Sequence, residues 1–390
     1  MVSPGAPAVA ATEGAPGSLW APMMAAALAL PGLGARADEA QAPPGDGFVA
    51  LRWLSYRDRQ PGLDRIQVES PSLQLRLPLA GRWTVDATAT QDAVTGASPR
   101  WHSAVSGASR MSDRRTAFDL AVAREGDDLS ASLALASSDE HDFESRALSG
   151  QLRWSEADRN RSWTLGLGWT QDRITSVDHP ELDRRRRTGS LSLGLTQVLS
   201  RADLVQLTLA LSDGQGFYGD PYKALDVRPE ARRQRSLLAR WNHHFEDQAA
   251  TLRTSWRLQS DSFGIRSQTL AAEWVASLGE RFTLTPSARY YTQGAASFYY
   301  DPVYSFVEAP YPPGWLEQPP TWLSPDARLS AFGAVTLGLR FGLRWSARWS
   351  GDFKIEQYEQ RASWRTGGPG SPGLAPLKAT FLQVGLVHNF

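Results

Sequence analysis

The densest group of ionisable side chains on any strand-like stretch is Glu356-Gln-Tyr-Glu-Gln-Arg361, which holds Glu356, Tyr358, Glu359 and Arg361. Carboxylates so close together could ligate a hard cation or orient a polar substrate. In an extended chain, however, Glu356 and Tyr358 share one face while Glu359 and Arg361 share the other. A salt-bridged rim, where a strand leaves its sheet, is therefore the competing expectation. The four consecutive arginines Arg184–Arg187 offer planar forks that match phosphate oxygens, such as those of lipopolysaccharide; the alternative is a solvated loop base. The adjacent His243 and His244 must point to opposite faces of a strand. His141, between Asp139 and Asp142, could reach a hard cation or simply belong to an exposed polar loop. Ser149 and His141 are near in sequence, as the nucleophile and base of a barrel hydrolase, but no spacing rule joins them, and enzymology ranks last. With no phosphate-cradling Gly-Lys-Ser/Thr loop and no dinucleotide fingerprint, no cofactor is expected, and no metal.

These residues must be positioned by strands. Trp163, Leu165, Leu167 and Trp169 share a parity, with Thr164, Gly166, Gly168 and Thr170 between them. The same alternation returns at Leu191, Leu193 and Leu195, at Val205, Leu207, Leu209 and Leu211, and at Leu73, Leu75 and Leu77; Leu129, Leu133 and Leu135, and Leu270, Trp274 and Leu278 continue it. Period two sends alternate side chains to opposite faces of a sheet. The 390 residues include no cysteine, which excludes disulfide frameworks, thiolate zinc sites and Cys-held clusters. The 41 basic and 41 acidic side chains balance, so there is no basic excess of the kind that binds nucleic acid. A mean hydropathy of −0.36 agrees with barrel strands, of which only alternate residues meet lipid.

An apolar run, Trp20–Leu33, followed by Ala35-Arg36-Ala37, reads as a secretory signal over residues 1–37 with cleavage after Ala37. No Lys or Arg precedes that run, which puts the assigned start in question. A short periplasmic segment, 38–46, is expected next, then a transmembrane antiparallel up-and-down β-barrel over 47–390 with about 16 strands (14 to 18). Short turns are expected around Ala80-Gly81, Gly126-Asp127, Ala157–Asn160, Ser200–Ala202, Glu246–Gln248, Gly279-Glu280 and Ser346–Arg348. They alternate strictly with connections that include Thr95–Arg114, Ser176–Arg187, Gly214–Ala231 and Asp301–Pro325. Short periplasmic turns against long external loops are the layout of outer-membrane barrels; both termini are then periplasmic. Trp83, Trp154, Trp163, Trp241, Trp274, Trp345 and Trp349 lie beside the short turns, as an interfacial aromatic girdle requires. Leu382, Val384, Leu386 and the final residue Phe390 share a parity, forming a lipid-facing row of the kind read by the barrel assembly machinery, with His388 as its departure.

The same parity test puts Asp86, Arg253, Arg257, Glu273, Arg289 and Arg344 in the lumen, because a midplane Arg facing lipid costs roughly 2–4 kcal/mol. Either these charges line an open pore and set its selectivity for a polar or anionic solute, or they pair across the interior and fill it. The stretch Asp301–Pro325, with Tyr304, Tyr311, Trp315 and Trp322, is too rich in Pro and aromatics to continue a sheet. It is expected to fold over or into the mouth as a constriction, or to pack on itself as an external cap.

Val94–Trp101, Val105–Ser109, Asp139–Ala147, Gly219-Asp-Pro-Tyr-Lys223, Asp326–Ala334, Glu356–Arg361 and Gly367–Gly373 together resemble the bacterial family catalogued as domain of unknown function 3570, from about Phe48 to Phe390. That resemblance implies an outer-membrane-type barrel. It also implies an envelope redox setting, since relatives are encoded beside a small lipoprotein, a thioredoxin-like protein and a flavin transferase. The expected function is a channel or conduit for a small polar solute. A structural barrel scaffolding a lipoprotein or redox partner is the second reading and a barrel-embedded hydrolase the third; an enzyme is not expected. Expected partners are the lipid bilayer, lipopolysaccharide and the barrel assembly machinery.

Overall fold

The structure is a computed structural model that describes residues 47–99, 108–223, 226–301, 318 and 320–390, with the side chains of 94–99 and 108–113 excepted. The predicted signal, the segment 38–46, and Tyr304, Tyr311 and Trp315 lie outside the described residues. Sixteen strands close into one antiparallel barrel in simple chain order. They are β1 Phe48–Gln60, β2 Leu63–Leu79, β3 Trp83–Pro99, β4 Ala108–Arg124, β5 Leu129–Asp139, β6 Phe143–Ser155, β7 Arg161–Ile174 and β8 Arg184–Val198, then β9 Asp203–Gly216, β10 Ala231–Phe245, β11 Ala250–Asp261, β12 Arg266–Leu278, β13 Phe282–Gln293, β14 Phe332–Arg344, β15 Trp349–Arg361 and β16 Leu377–Asn389. β1 meets β16 from Phe48↔Asn389 to Arg59↔Lys378. Closure of this kind leaves no strand edge for lipid to strip of hydrogen bonds.

The ladder registers show why the alternation works. Trp154, Trp163 and Leu195 form one hydrogen-bonded row, Leu152, Leu165 and Leu193 the next, and Gly150, Leu167 and Leu191 the third. All of these large side chains point outward, and Leu167 is 59% exposed although it is a core-type residue. An apolar outer belt is what a bilayer requires and what water would penalise. Trp83, Trp154, Trp163, Trp241, Trp345 and Trp349 are exposed at the end where β1 starts and β16 finishes, and Trp274 is half-buried among them. Trp53, Phe118 and Trp169 are the last exposed apolar residues before outward polar side chains begin at the far end. Replacing Leu167 with Arg, at mid-belt, should lower refolding stability in bilayers by roughly 2–4 kcal/mol. Denaturant titration in lipid vesicles checks this; a loss below about 0.5 kcal/mol would place Leu167 away from the hydrocarbon.

Connections at the end where β1 starts and β16 finishes are short throughout. The one at 80–82 carries consecutive positive φ angles, Gly81 at 73° and Arg82 at 67°, the twist-matched geometry of tight hairpins. At the far end the expected strict alternation is corrected. The connections 61–62, 140–142 and 262–265 are short there too, because the ladders of their flanking strands run on to within a few residues of each turn. Three of the four long stretches are correspondingly trimmed: β3 runs to Pro99 and β4 starts at Ala108, β8 starts at Arg184, and β9 runs to Gly216. Above the belt a strand needs only its ladder, so polar residues extend it as readily as apolar ones.

Candidate functional site

The inner wall divides into three kinds of surface. β5 to β9 present mainly small residues inward, among them Ser132, Ala134, Ser149, Gly166, Ser192 and Thr208, each on the parity opposite to its lipid-facing neighbours, with Arg153 the long cation beside Ser162. From β14 round to β3 three inward ion pairs form, with Arg52 hydrogen-bonded to Gln74 beside them. Arg76 meets Asp86 at 2.6 Å, Arg340 meets Asp352 at 3.1 Å, and Lys354 meets Glu356 at 3.1 Å. β10 to β13 differ. At their far end Arg232 and Asp261 pair at 2.5 Å, but below them the inward charges of these strands are Arg240, Arg253, Arg257 and Arg289 with the carboxylate Glu273, and Glu356 of β15 also acts on Arg289.

Register sets the geometry of this arginine wall. Arg240 is opposite Ser255, so it sits diagonally between Arg253 and Arg257, and Arg253 is opposite Glu273. Arg289 is opposite Ala271, one inward position from Glu273. Diagonal neighbours across a ladder lie roughly 7–8 Å apart, close enough for a multivalent anion to touch two guanidinium groups. Arg257 is exposed within the lumen, and Arg253, Glu273 and Arg289 are half-buried. The other two lumen candidates lie elsewhere. Asp86 is held by Arg76 on the ion-paired side, and Arg344 is at the short-turn end, where its Nη2 donates to the Glu280 carbonyl at 2.6 Å and clips the 279–281 turn.

The rim group is divided by the wall. Glu356 faces inward beside Lys354, and Tyr358 is buried inside with its hydroxyl donating to Gln360 Oε1 at 2.7 Å. Glu359 faces outward, bonded to Arg361 and 3.5 Å from Lys378. The two carboxylates cannot share a cation, and among the described residues no group of three or more His, Asp or Glu could hold a metal. The four arginines separate in the same way. Arg186 points inward to Asp172 at 2.7 Å and Arg184 lies over the Phe217 ring, whereas Arg185 and Arg187 are exposed on the outer face. Ser149 is six residues into β6 from Phe143 while His141 is in the far-end turn, a separation of roughly 20 Å along the strand. That distance excludes direct proton transfer between them. Leu382, Val384 and Leu386 form one outward row on β16, and the exposed Phe390 follows the strand's end.

At the far mouth the described residues of three connections, 217–223 with 226–230, 294–301 with 320–331, and 362–376, fold inward. Leu374, Ala327 and Ala362 pack against the inner-wall residues Tyr56, Tyr291, Phe332, Tyr358 and Phe381. Above them Phe263, Ile265, Ala296 and Leu329 make a second apolar layer with Tyr218, Phe298 and Tyr299. Between the connections lies an ion cluster with Asp326 at its centre. Its carboxylate takes Lys223 at 3.1 Å, Arg228 at 2.6 Å, and Arg328. Asp220 holds Arg328 at 3.0 Å and Lys223 at 3.5 Å, and Asp226 holds Arg228 at 2.7 Å. Three carboxylates and three cations neutralise one another with at most 14% side-chain exposure. The Val227↔Leu323 bridge ties the same two connections by backbone.

Burial alone would raise the Asp326 carboxyl, but Arg328, Lys223 and Arg228 hold it well below the usual carboxylate range. A depressed folded value means that the stabilisation is fully present above the unfolded value, near pH 4, and is lost as pH falls through the lower folded one. Hydrogen exchange of residues 217–230, corrected for intrinsic rates, should therefore be flat from pH 8 to about 5 and rise only below about pH 4. A transition near neutrality would contradict it.

The family profile described as protein of unknown function (DUF3570) matches residues 21–114 and 107–385. No protein of curated function matches. Among solved structures, the siderophore receptor PirA from Pseudomonas aeruginosa aligns with a TM-score of 0.46 and 12% identity, covering 88% of this chain and 62% of its own. CdiB from Acinetobacter baumannii aligns at 0.46 and 9%, covering 86% and 60%. The CymD monoaromatic hydrocarbon channel aligns at 0.43 and 11%, covering 91% of both chains. The chain thus spans about three fifths of the first two.

Proposed function

The chain belongs to the family described as protein of unknown function (DUF3570), and from that premise we propose that it is an outer-membrane conduit for small anionic solutes, closed at its external mouth by the ion-clustered cap. The observation that carries this reading is the juxtaposition, within one sixteen-strand barrel, of a wall of mainly small side chains and a wall of four inward arginines with one carboxylate of its own. Barrels of 16 strands are wide enough to leave an aqueous interior. Small residues on β5 to β9 leave that interior unfilled, and clustered guanidinium groups give it an anion-attracting field.

The start of β1 and the end of β16 are at the short-turn end, and the cap is at the other. Short periplasmic turns and long external loops support a periplasmic location for the termini and an external one for the cap. The outward row Leu382, Val384 and Leu386, followed by the exposed Phe390, supports recognition by the barrel assembly machinery. The cap also favours a second reading, in which the barrel is permanently closed and scaffolds a lipoprotein or redox partner in the envelope. Planar-bilayer recordings of the purified protein separate the two. Openings with anion-biased reversal potentials in a KCl gradient support the conduit. Silence in both the native protein and a cap-released variant, together with co-purification of an envelope partner, supports the scaffold and ends the conduit reading.

A further inference from the structure

We propose that the outer face of the barrel over β8 to β13 is a binding site for a phosphorylated lipid of the external leaflet, held by Arg233, Arg235, Arg266 and Arg365. Two adjoining hollows of about 720 and 790 Å³ open there, sharing Arg235, Ser260, Gly264 and Arg266 in their walls. The registers grade the surface from apolar to cationic within one row. Leu209, Leu237 and Leu258 are aligned across β9, β10 and β11, and the row immediately beyond them is Leu211, Arg235, Ser260 and Arg266. A ligand seated there meets hydrocarbon on its inner side and guanidinium on its outer side, which is the polarity of an acylated phosphate.

The charge is not cancelled locally. Arg233 is paired with Asp213 at 3.1 Å, and Arg235 donates to Ser260 Oγ at 2.8 Å. No acid pairs with Arg235, Arg266 or Arg365 among the described residues. Arg365 arrives from a different part of the chain, the 362–376 connection. Its Nη1 donates to the Pro369 carbonyl, and its guanidinium approaches Gly294 so closely that a Cβ there would lie 3.2 Å from Nη2. Its Nε has no hydrogen-bond partner among the described residues. Four cations against Asp213 leave three positive charges, matched to a headgroup with one or two phosphates, and arginine forks bind such oxygens bidentately. A solitary arginine at this level would simply snorkel to water. Four that converge from two strands and a loop on two adjoining hollows make a built surface. The site rests on the outer-membrane reading above, because only there does the external leaflet carry a phosphorylated glycolipid.

The test is native mass spectrometry of the full-length barrel in neutral detergent with added diphosphoryl lipid A. Wild type should retain one lipid, and Arg235→Ala/Arg266→Ala should retain at least tenfold less, as should Arg235→Glu/Arg266→Glu. Arg161→Ala, at the opposite end of the outer face, should retain as much as wild type. Heat-modifiable gel migration certifies that each variant is a closed barrel, and any that is not is replaced by the single Arg266→Gln, for which a severalfold loss is expected. Retention within twofold of wild type in folded variants overturns the site, as does displacement of the lipid by an equal concentration of inorganic phosphate. Density fractionation of cell membranes is scored separately: a barrel that binds lipid A but does not sediment with the outer membrane refutes the location and leaves the site standing.

Discussion

Asp326→Ala should release the cap while leaving the barrel closed. The wild-type carboxylate is about 1% exposed and is contacted by three cations, so its removal strands Lys223, Arg228 and Arg328 with only Asp220 and Asp226 to balance them. Breaking a buried ion cluster by removing one partner costs about 3–5 kcal/mol, because the remaining charges keep their desolvation penalty. Local segments held by such contacts open well below the global unfolding free energy, whereas the barrel's own ladder is untouched by the substitution. The measurable outcome is rapid proteolysis within 217–230 and 320–331, with unchanged heat-modifiable migration and a rise in open probability in bilayers. Asp326→Asn should fall between, since an amide oxygen can still accept from the Arg328 backbone N–H that the carboxylate takes at 3.0 Å. Wild-type protease resistance in the alanine variant would mean that the apolar layers, not the ion cluster, hold the cap.

The cap also marks the limit of what the residues alone disclosed. Strand count, inward and outward parity, the tryptophan girdle and the terminal row all follow from a period of two, which is a local property of the chain. The ion cluster is not local. Asp220 and Arg328 are 108 residues apart, and Arg228 and Asp326 are 98 apart; neither segment has a period to read. One signal was present. Gly219-Asp-Pro-Tyr-Lys223 and the stretch beginning Asp326-Ala-Arg are both among the passages that carry the family resemblance, and each supplies a carboxylate and a cation to the cluster. Parity placed Arg253, Arg257, Glu273 and Arg289 inside, but it could not show that Arg240 joins them, because only the β10–β11 register brings Arg240 opposite Ser255. Nor could it show that Asp86 is neutralised by Arg76 or that Arg344 is at the barrel end. Parity gives a face and not a height, and the height depends on how far each strand overruns the belt.

If the arginine wall governs permeation, Arg253→Glu/Arg257→Glu should convert the pore from anion- to cation-preferring. The wall carries four cations and one carboxylate, a net +3; two Arg→Glu changes subtract four and leave −1. At roughly 10 Å in water each unit charge acts on a monovalent ion with about 0.4 kcal/mol, so the full change is about 1.7 kcal/mol before screening. With a Debye length of about 10 Å at 0.1 M salt, close to a third of that survives. The anion and the cation shift by that amount in opposite directions, so the anion-to-cation permeability ratio should fall roughly eightfold at 0.1 M and by more at 10 mM. The reversal potential across a KCl gradient should change sign at low salt. Made in the Asp326→Ala background, the substitution reports on the wall even if the native cap never opens. Both new carboxylates remain on the inward parity, facing Asn242 and Glu273 at position 253 and Leu238 and Thr269 at position 257, so lipid contact is unaffected. A conducting double variant whose selectivity matches that of Asp326→Ala alone would show that ions pass along the small-residue wall of β5 to β9, and the anion-selective reading would fall.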